Sequence, residues 1–413
     1  MSFLYWFIHY ILTFVSTSFF FWLPPLRKRL SFEAKNLSEN GSRSFSETKE
    51  KADLAFEFSS EGEFQQVASL IADALTLGKK VELVFFSPSV EKAILDLASK
   101  HPTQLRYLRY PIASFGFSKS FSAWVTSPEL ILVRYDLFPE FLFWSARPGH
   151  TLKMVWVTFK KERSLGKTIS TYKTSFLKAA KHLVYATQSD QTLGETLGLK
   201  GFAFDFRMEQ IERRLKMKDE KFEIFFSSYL QLKRTLEKYP REKRLIIGNA
   251  WPVDMALIKN LPLDFFILVV PHQLEQNILN EMMQSLKDYG RSPLLMEENF
   301  PGESSAYVLN KKGVLCELYS DFGHAYVGGG FGVSVHSLLE PLVAGSEMIS
   351  CGPVHHRSTE FDLARDLGSM TEVKNALDFL NWMSLPLPIG SSRDKILKVS
   401  AQYPLIRKDV LSC

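Results

Sequence analysis

At 413 residues with 46% hydrophobic content, the chain is too long for one ordinary domain and carries apolar residues enough for two cores. A net charge of +5 without a concentrated basic stripe argues against a nucleic-acid binder and suits an anionic membrane surface or a phosphorylated ligand. The cysteines Cys316, Cys351 and Cys413 are odd in number and widely spaced, which excludes a disulfide framework and a cysteine zinc site.

Met1 to Leu23 contains no Asp, Glu, Lys or Arg and ends at Pro24-Pro25. As a helix it would span about 34 Å, enough for a hydrocarbon core of roughly 30 Å. Tyr5, Trp6, Tyr10 and Trp22 suit the two interfaces, and Arg27, Lys28 and Arg29 place the body of the chain on the cytoplasmic side. A cleaved signal peptide would need a basic start and a small-x-small site, and neither is present. Residues 1–25 therefore read as a membrane anchor, with an in-plane helix as the alternative because Ser16, Thr17 and Ser18 weaken a span.

Residues 26–52 are basic, then polar and turn-rich, and read as a linker. Beyond Asp53, β-branched or aromatic runs alternate with helix-period segments. Strands are predicted at Val81–Phe86, Leu130–Val133, Met154–Thr158, Leu183–Thr187, Leu245–Ile247, Phe266–Val270, Ala325–Val327 and Met348–Ser350. Phe64, Val67, Ala68, Ile71, Ala74 and Leu75 trace one face of a helix. This alternation predicts an α/β fold of parallel sheets covered on both faces. The charged stretch Lys216 to Arg244 divides two such sets, giving domains at 53–225 and 226–413. Two doubly wound domains facing a central cleft would bind ligands at the carboxyl ends of their strands.

Several clusters carry candidate chemistry. Ser60 and Glu63 match the S-x-x-E capping box, yet Glu63 is also placed to act as a general base. Gly248-Asn249 and Pro271-His272 follow predicted strands, where a nucleotide would bind. Gly328, Gly329, Gly330 and Gly332 follow another strand; they either open backbone amides and the next helix start to an anion or merely permit a tight turn. His336 and Glu340, four apart, are expected on one helix face, to grip ribose and phosphate or to form a salt-bridged pair. After Gly352-Pro353, the pair His355 and His356 reads as surface. No HExxH and no D-x-D pair after a strand is present, so neither a metal nor a cofactor is expected.

Taken together these residues resemble the bacterial Kdo transferases, two-Rossmann-domain (GT-B) glycosyltransferases that move Kdo from CMP-Kdo onto lipid A precursors. The run AYVGGGFGVSVHSLLEPLVAGSEMISCGP is similar to the family's strand–glycines–helix signature, which carries H-N-x-L-E and then G-P. Gly248-Asn249-Ala250-Trp251-Pro252-Val253-Asp254 is similar to its G-S-T-W-P-E-D, and Pro271-His272 to its proline-histidine step. The resemblance implies Glu63 as general base and a CMP-Kdo site built from Gly248, Asn249, Pro271, His272, Gly328, Gly329, Gly330, Gly332, His336, Ser337 and Glu340, with Glu340 on the ribose. It implies a metal-independent, inverting reaction at the bacterial inner membrane, with membrane lipids and a lipid A precursor as partners. The chain departs from the pattern at Glu57, where the family has His, and at Arg134, where it has Glu; Asp136 is the carboxylate left to the acceptor side. Ser337 replaces the family's Asn. The alternatives are a GT-B transferase with another nucleotide sugar and a membrane-tethered, catalytically silent binding protein of the same fold.

Overall fold

The computed structural model describes residues 23–111, 117–134, 137–159, 167–332, 335–367, 370–388 and 392–412, with Phe7, Ile11 and Val15. The anchor expected over residues 1–25 lies almost wholly outside them, as does Asp136. Among the described residues no helix is long and apolar enough to cross a membrane. The chain forms two compact units: Met1–Arg207 with Tyr403–Cys413, and Met208–Gln402.

The first unit is built on seven parallel strands: β1 (Leu54–Phe58), β2 (Val81–Phe85), β3 (Leu105–Arg109), β4 (Glu129–Val133), β5 (Thr151–Val157), β6 (His182–Tyr185) and β7 (Phe202–Ala203). Their order is β3-β2-β1-β4-β5-β6-β7, with Leu54 opposite Val81 and Phe56 opposite Leu83. Every residue of β1, β2 and β4 is buried, as a sheet covered on both faces requires. Order reverses between β1 and β4, the switch point where open α/β sheets bind ligands.

Residues 26–52 are not a loose linker. They form helix α1 (Pro24–Ala34) and three short 3-10 turns packed on the first unit. Phe32 and Phe45 are buried apolar anchors. The Arg29 guanidinium donates to the carbonyls of Phe86 and Tyr110 at the ends of β2 and β3. Asn36 exchanges two hydrogen bonds with the backbone of Arg109, and the Trp124 indole donates to Ser42 O at 2.6 Å. Polar composition hides this docking because the two anchors stand thirteen residues apart.

Two further helices frame this unit's strand ends: α2 (Glu61–Thr76) after β1 and α3 (Pro139–Ser145) after β4. Phe64, Val67, Leu70, Ile71, Ala74 and Leu75 form the buried face of α2. The C-terminal helix Tyr403–Leu411 returns to this unit. Tyr403 Oη donates to Asp73 at 2.8 Å, and buried Lys153 donates to the carbonyls of Val410 and Ser412.

The second unit repeats the architecture with β8 (Arg244–Ala250), β9 (Phe266–Pro271), β10 (Leu294–Met296), β11 (Ala306–Leu309), β12 (His324–Val327), β13 (Met348–Cys351) and β14 (Met370–Glu372). The order is β10-β11-β9-β8-β12-β13-β14, all parallel, so its switch point lies between β8 and β12. The charged stretch does not divide the chain at 225. It forms α4 (Lys218–Phe225) and α5 (Tyr229–Leu236) inside this unit, because Phe222, Phe226, Tyr229, Leu232 and Leu236 pack into its core.

Candidate functional site

In the second unit, the segments after β8, β9, β12 and β13 meet. Gly248 O, at the end of β8, accepts from Gly328 N at 2.9 Å, and Ala250 O accepts from His272 N at 3.0 Å. Asn249 takes a left-handed φ of 51°, a conformation that asparagine tolerates better than most residues. The fully buried Asp254 carboxylate ties the loops together. It accepts from Trp251 N at 2.8 Å, Gly329 N at 3.1 Å and Tyr326 Oη at 3.0 Å. Burial raises its pKa above the ordinary value, and the three donors oppose that rise.

The glycines have a structural reason here. A Cβ on Gly328 would stand 2.4 Å from Asn249 O and 2.6 Å from Asp254 Oδ2. One on Gly330 would stand 2.5 Å from the Gly352 backbone and 2.7 Å from His355 Nδ1. Close chain packing therefore demands both residues without any ligand.

Above this frame lies a stack of rings. Trp251 stacks on His272 with centroids 5.1 Å apart at 27°, and His272 meets His336 at 4.4 Å. The Trp251 indole donates to His336 Nε2 at 3.3 Å, which puts the imidazole proton on Nδ1. His336 N in turn donates to His355 Nε2 at 3.4 Å. Burial lowers the His336 pKa to about 4, helped by repulsion from His272 and His355. Burial also lowers His272, with Lys312 adding to the shift, and burial lowers His355. Two neutral imidazoles, His272 and His336, and the Trp251 indole thus form a platform able to stack on a flat ring and to exchange hydrogen bonds without bringing charge, with the fully buried His355 bonded behind it.

His336 and Glu340 do not share a helix face, because helix α6 (Leu339–Ala344) begins only at Leu339. His336 joins the ring stack, whereas Glu340 faces Arg214 at 3.4 Å. Arg214 also holds buried Glu317, through contacts of 3.1 and 3.2 Å. At Glu340 burial outweighs Arg214, so its pKa is raised. The start of α6 is not open to an outside anion. Glu360, on α7 (Thr359–Asp366), accepts there from Ser337 Oγ at 2.9 Å, Leu338 N at 2.7 Å and Leu339 N at 3.1 Å. His355 is not on the surface; it is fully buried because the turn after β13 folds it beneath Gly330, whereas His356 is exposed.

In the first unit, Glu63 lies in the first turn of α2, at the β1/β4 switch point. Ser60 caps the helix, accepting from Glu63 N at 3.4 Å. The Glu63 side chain reaches one residue beyond the usual capping box: Oε2 accepts from both Ser59 N and Ser59 Oγ at 2.7 Å. Its other oxygen, Oε1, accepts no hydrogen bond among the described residues.

Arg134, the first residue after β4, has a φ of 71°, and Trp156 has 57° where the β5 ladder shifts register. The guanidinium carbons of Arg134 and Arg207 stand 4.4 and 5.6 Å from the Trp156 ring centre. Asp205 accepts from the Trp156 indole at 3.3 Å and from Arg207 Nε at 3.0 Å. Against its burial, Arg207 holds Asp205 below the usual carboxylate range. Glu140, in the first turn of α3, is only 2% exposed, and neither carboxylate oxygen has a hydrogen-bond partner among the other described residues; burial raises its pKa to about 7.

Sequence patterns gather Gly248, Asn249, Pro271, His272, the glycines and His336 into one region, and they converge in the structure. They do not find Asp254, Tyr326, His355 and Glu360 as the groups that hold that region in shape. Only Asp254 leaves a signal, as the last residue of the Trp251-Pro252-Val253-Asp254 stretch.

Two doubly wound parallel sheets, each with its switch point furnished with polar and aromatic groups, define an α/β, GT-B-like two-domain fold. Solved structures agree on the fold. UDP-GlcNAc 2-epimerase from Methanocaldococcus jannaschii is similar with a TM-score of 0.51 at 10% identity, over 84% of this chain and 99% of that one. UDP-GlcNAc 2-epimerase from Neisseria meningitidis, bound to UDP-GlcNAc, gives 0.50 at 10% identity over 85% and 100%. The C-terminal CMP-Kdo binding domain of WaaA from Acinetobacter baumannii matches 48% of this chain and 94% of its own, at 17% identity and a TM-score of only 0.31. No protein-family model matches the chain, and no curated protein matches its sequence.

Proposed function

We propose that the protein is a membrane-tethered glycosyltransferase that moves Kdo from CMP-Kdo onto a lipid A precursor with inversion and without a metal. The observation that carries this reading is the ring stack of Trp251, His272 and His336 beside the glycine turn at the β8/β12 switch point. In this reading the second unit binds the donor. The stack and the backbone around Gly248 and Asn249 hold the nucleotide, and Glu340 takes the ribose after letting go of Arg214. Glu63 serves the acceptor, with Asp136 as a second carboxylate on that side.

Chemically, the acceptor hydroxyl passes its proton to Glu63 Oε1 while its oxygen bonds the anomeric carbon. The bond from that carbon to the phosphate oxygen breaks, and CMP leaves with the electron pair. Ser59 keeps Oε2 engaged, so the carboxylate is held while its free oxygen takes the proton.

The test is full-length protein with CMP-Kdo and a lipid A precursor in EDTA, read by mass spectrometry and accompanied by CMP and UDP calorimetry. Transfer of one or more Kdo units is expected. Binding of UDP in preference to CMP would overturn the donor assignment in favour of another nucleotide sugar. CMP binding without transfer would favour a silent binding protein. Two features lend that second reading weight: Arg134 where the resembled family has a carboxylate, and Glu360 on the start of α6.

A further inference from the structure

The basic run after the apolar segment does not act as a unit. Arg29 is turned inward, bound to Glu33 and to the two strand-end carbonyls. Arg27 and Lys28 stay exposed. With Pro24 and Ser31 they form one face of α1, following the three-to-four-residue spacing of a helix surface, and Lys35 just past its end continues that face. That face lines a cavity of about 600 Å³ open to solvent, closed on its far side by Pro88 and Glu91.

The charge of the groove follows from its partners. The Glu91 Oε1 atom takes two hydrogen bonds from fully buried Arg109, at 2.8 and 2.6 Å, and one from Lys35 at 2.9 Å. Glu91 is thus already neutralised from the protein side. Arg27 and Lys28 have no ion-pair partner among the described residues and leave the groove cationic. The groove starts at Pro24, directly after the uncharged apolar run of residues 1–23. Arg29 and Phe32 lock α1 onto the sheet, so the groove is held one helix turn from the point where that run ends.

We propose that this groove is a headgroup site for an anionic membrane phospholipid, whose phosphate is taken by Arg27 and Lys28 with Lys35 at the far end. The occupant is a lipid rather than a free anion because the cations adjoin an apolar segment fit for the same bilayer, and because Pro24, Phe32 and Pro88 give the groove apolar wall as well as charge. The inference rests on the membrane reading of residues 1–23 and not on the transfer chemistry. It gives α1 a second role. Docked on the strand ends of the first unit, the helix sets that unit's height and orientation at the membrane surface.

The experiment uses full-length protein in nonionic detergent micelles doped with phosphatidylglycerol or phosphatidylcholine, with inorganic phosphate as a third arm. Apparent affinity is read from lipid-dependent shifts in the unfolding midpoint. Phosphatidylglycerol should bind at least about tenfold tighter than phosphatidylcholine, in keeping with the attraction between surface cations and anionic lipid. Arg27→Gln/Lys28→Gln should abolish the preference, and Arg27→Glu/Lys28→Glu should reverse it. Both variants should match wild type without lipid, since neither side chain bonds to any described residue. Equal affinity for the two lipids, or an unchanged preference in the variants, would overturn the proposal. Inorganic phosphate matching phosphatidylglycerol would make the groove a free-anion site and overturn it too. CMP calorimetry on the same samples keeps the readings apart: its failure in wild type sinks the donor assignment and leaves the lipid result standing.

Discussion

Replacing Glu63 by glutamine separates proton transfer from helix capping. In wild type, Oε2 accepts two bonds of 2.7 Å from Ser59, while Oε1 accepts none from the described residues and is the oxygen assigned to the proton in the proposed reaction. Glutamine keeps one carbonyl oxygen, which can accept both Ser59 bonds, and puts an amide that cannot take a proton where Oε1 stood. The helix start should survive, so Glu63→Gln should unfold within a few degrees of wild type and bind CMP with unchanged affinity. Transfer should fall by a factor of about 100 to 10,000, the usual cost of losing a general base. That is roughly 2.7–5.5 kcal/mol of barrier. Glu63→Ala should lose the same activity and also leave the Ser59 N–H and O–H without their acceptor, costing roughly 1.5–3 kcal/mol of stability. Mass-spectrometric initial rates and urea unfolding of the three proteins give both quantities. A Gln variant that keeps more than half its turnover would refute the reasoning and reduce Glu63 to a cap, with Asp136 and Glu61 the next candidates for the base.

Two other predictions concern the second unit. Gly328→Ala drives a methyl group against Asn249 O and Asp254 Oδ2, and overpacking of this kind costs about 1–3 kcal/mol, so both the urea midpoint and CMP affinity should drop; wild-type values for both would mean the loops relax freely. His324 is fully buried, edge-on to Trp382 at 5.1 Å, with neither ring nitrogen hydrogen-bonded among the described residues, and burial lowers its pKa from 6.5 to about 4. As pH falls the unfolded chain protonates first. Its contribution is therefore complete above pH 6.5 and is lost between 6.5 and 4, at a cost of about 3 kcal/mol. His324→Leu should flatten urea stability over that window, and an unchanged slope between pH 7 and 4.5 would contradict the burial argument.

The sequence is most legible where one short run decides an element. Phe266–Val270 has the continuous apolar character of a strand buried on both faces, and Leu83–Phe86 has it once past the buried Glu82; both runs form strands. β1 carries a weaker signal because only Leu54, Ala55 and Phe56 precede Glu57, which is fully buried, whereas four apolar residues follow Glu82 in the β2 run. In the stretch Lys216 to Arg244 the charges mask the apolar residues at 222, 226, 229, 232 and 236, which recur at helical spacing. Contacts distant in sequence have no local signature. Arg214 meets Glu340 from 126 residues away, and Glu360 reaches Leu338 from 22. Both decide how the predicted site residues are engaged, and only the folded chain brings them together.

The glycine-rich turn is the strongest sequence signal for a ligand, yet it is the feature that least needs one. Gly328 and Gly330 are required by the packing of Asn249, Asp254, Gly352 and His355 against them. Glu360 already fills the donors at the start of α6. The groups not explained by internal packing are the rings. A tryptophan and two histidines at a sheet's switch point gain little stability by keeping imidazoles partly desolvated and uncharged. Burial makes that arrangement costly below pH 6.5, as the lowered pKa values of His336 and His272 record. Such a cost is understandable where neutral rings are needed to stack on a base or to bond a sugar hydroxyl without attracting a counter-ion. On the proposed reading of the second unit as a donor site, recognition turns on Trp251, His272 and His336 more than on the glycines.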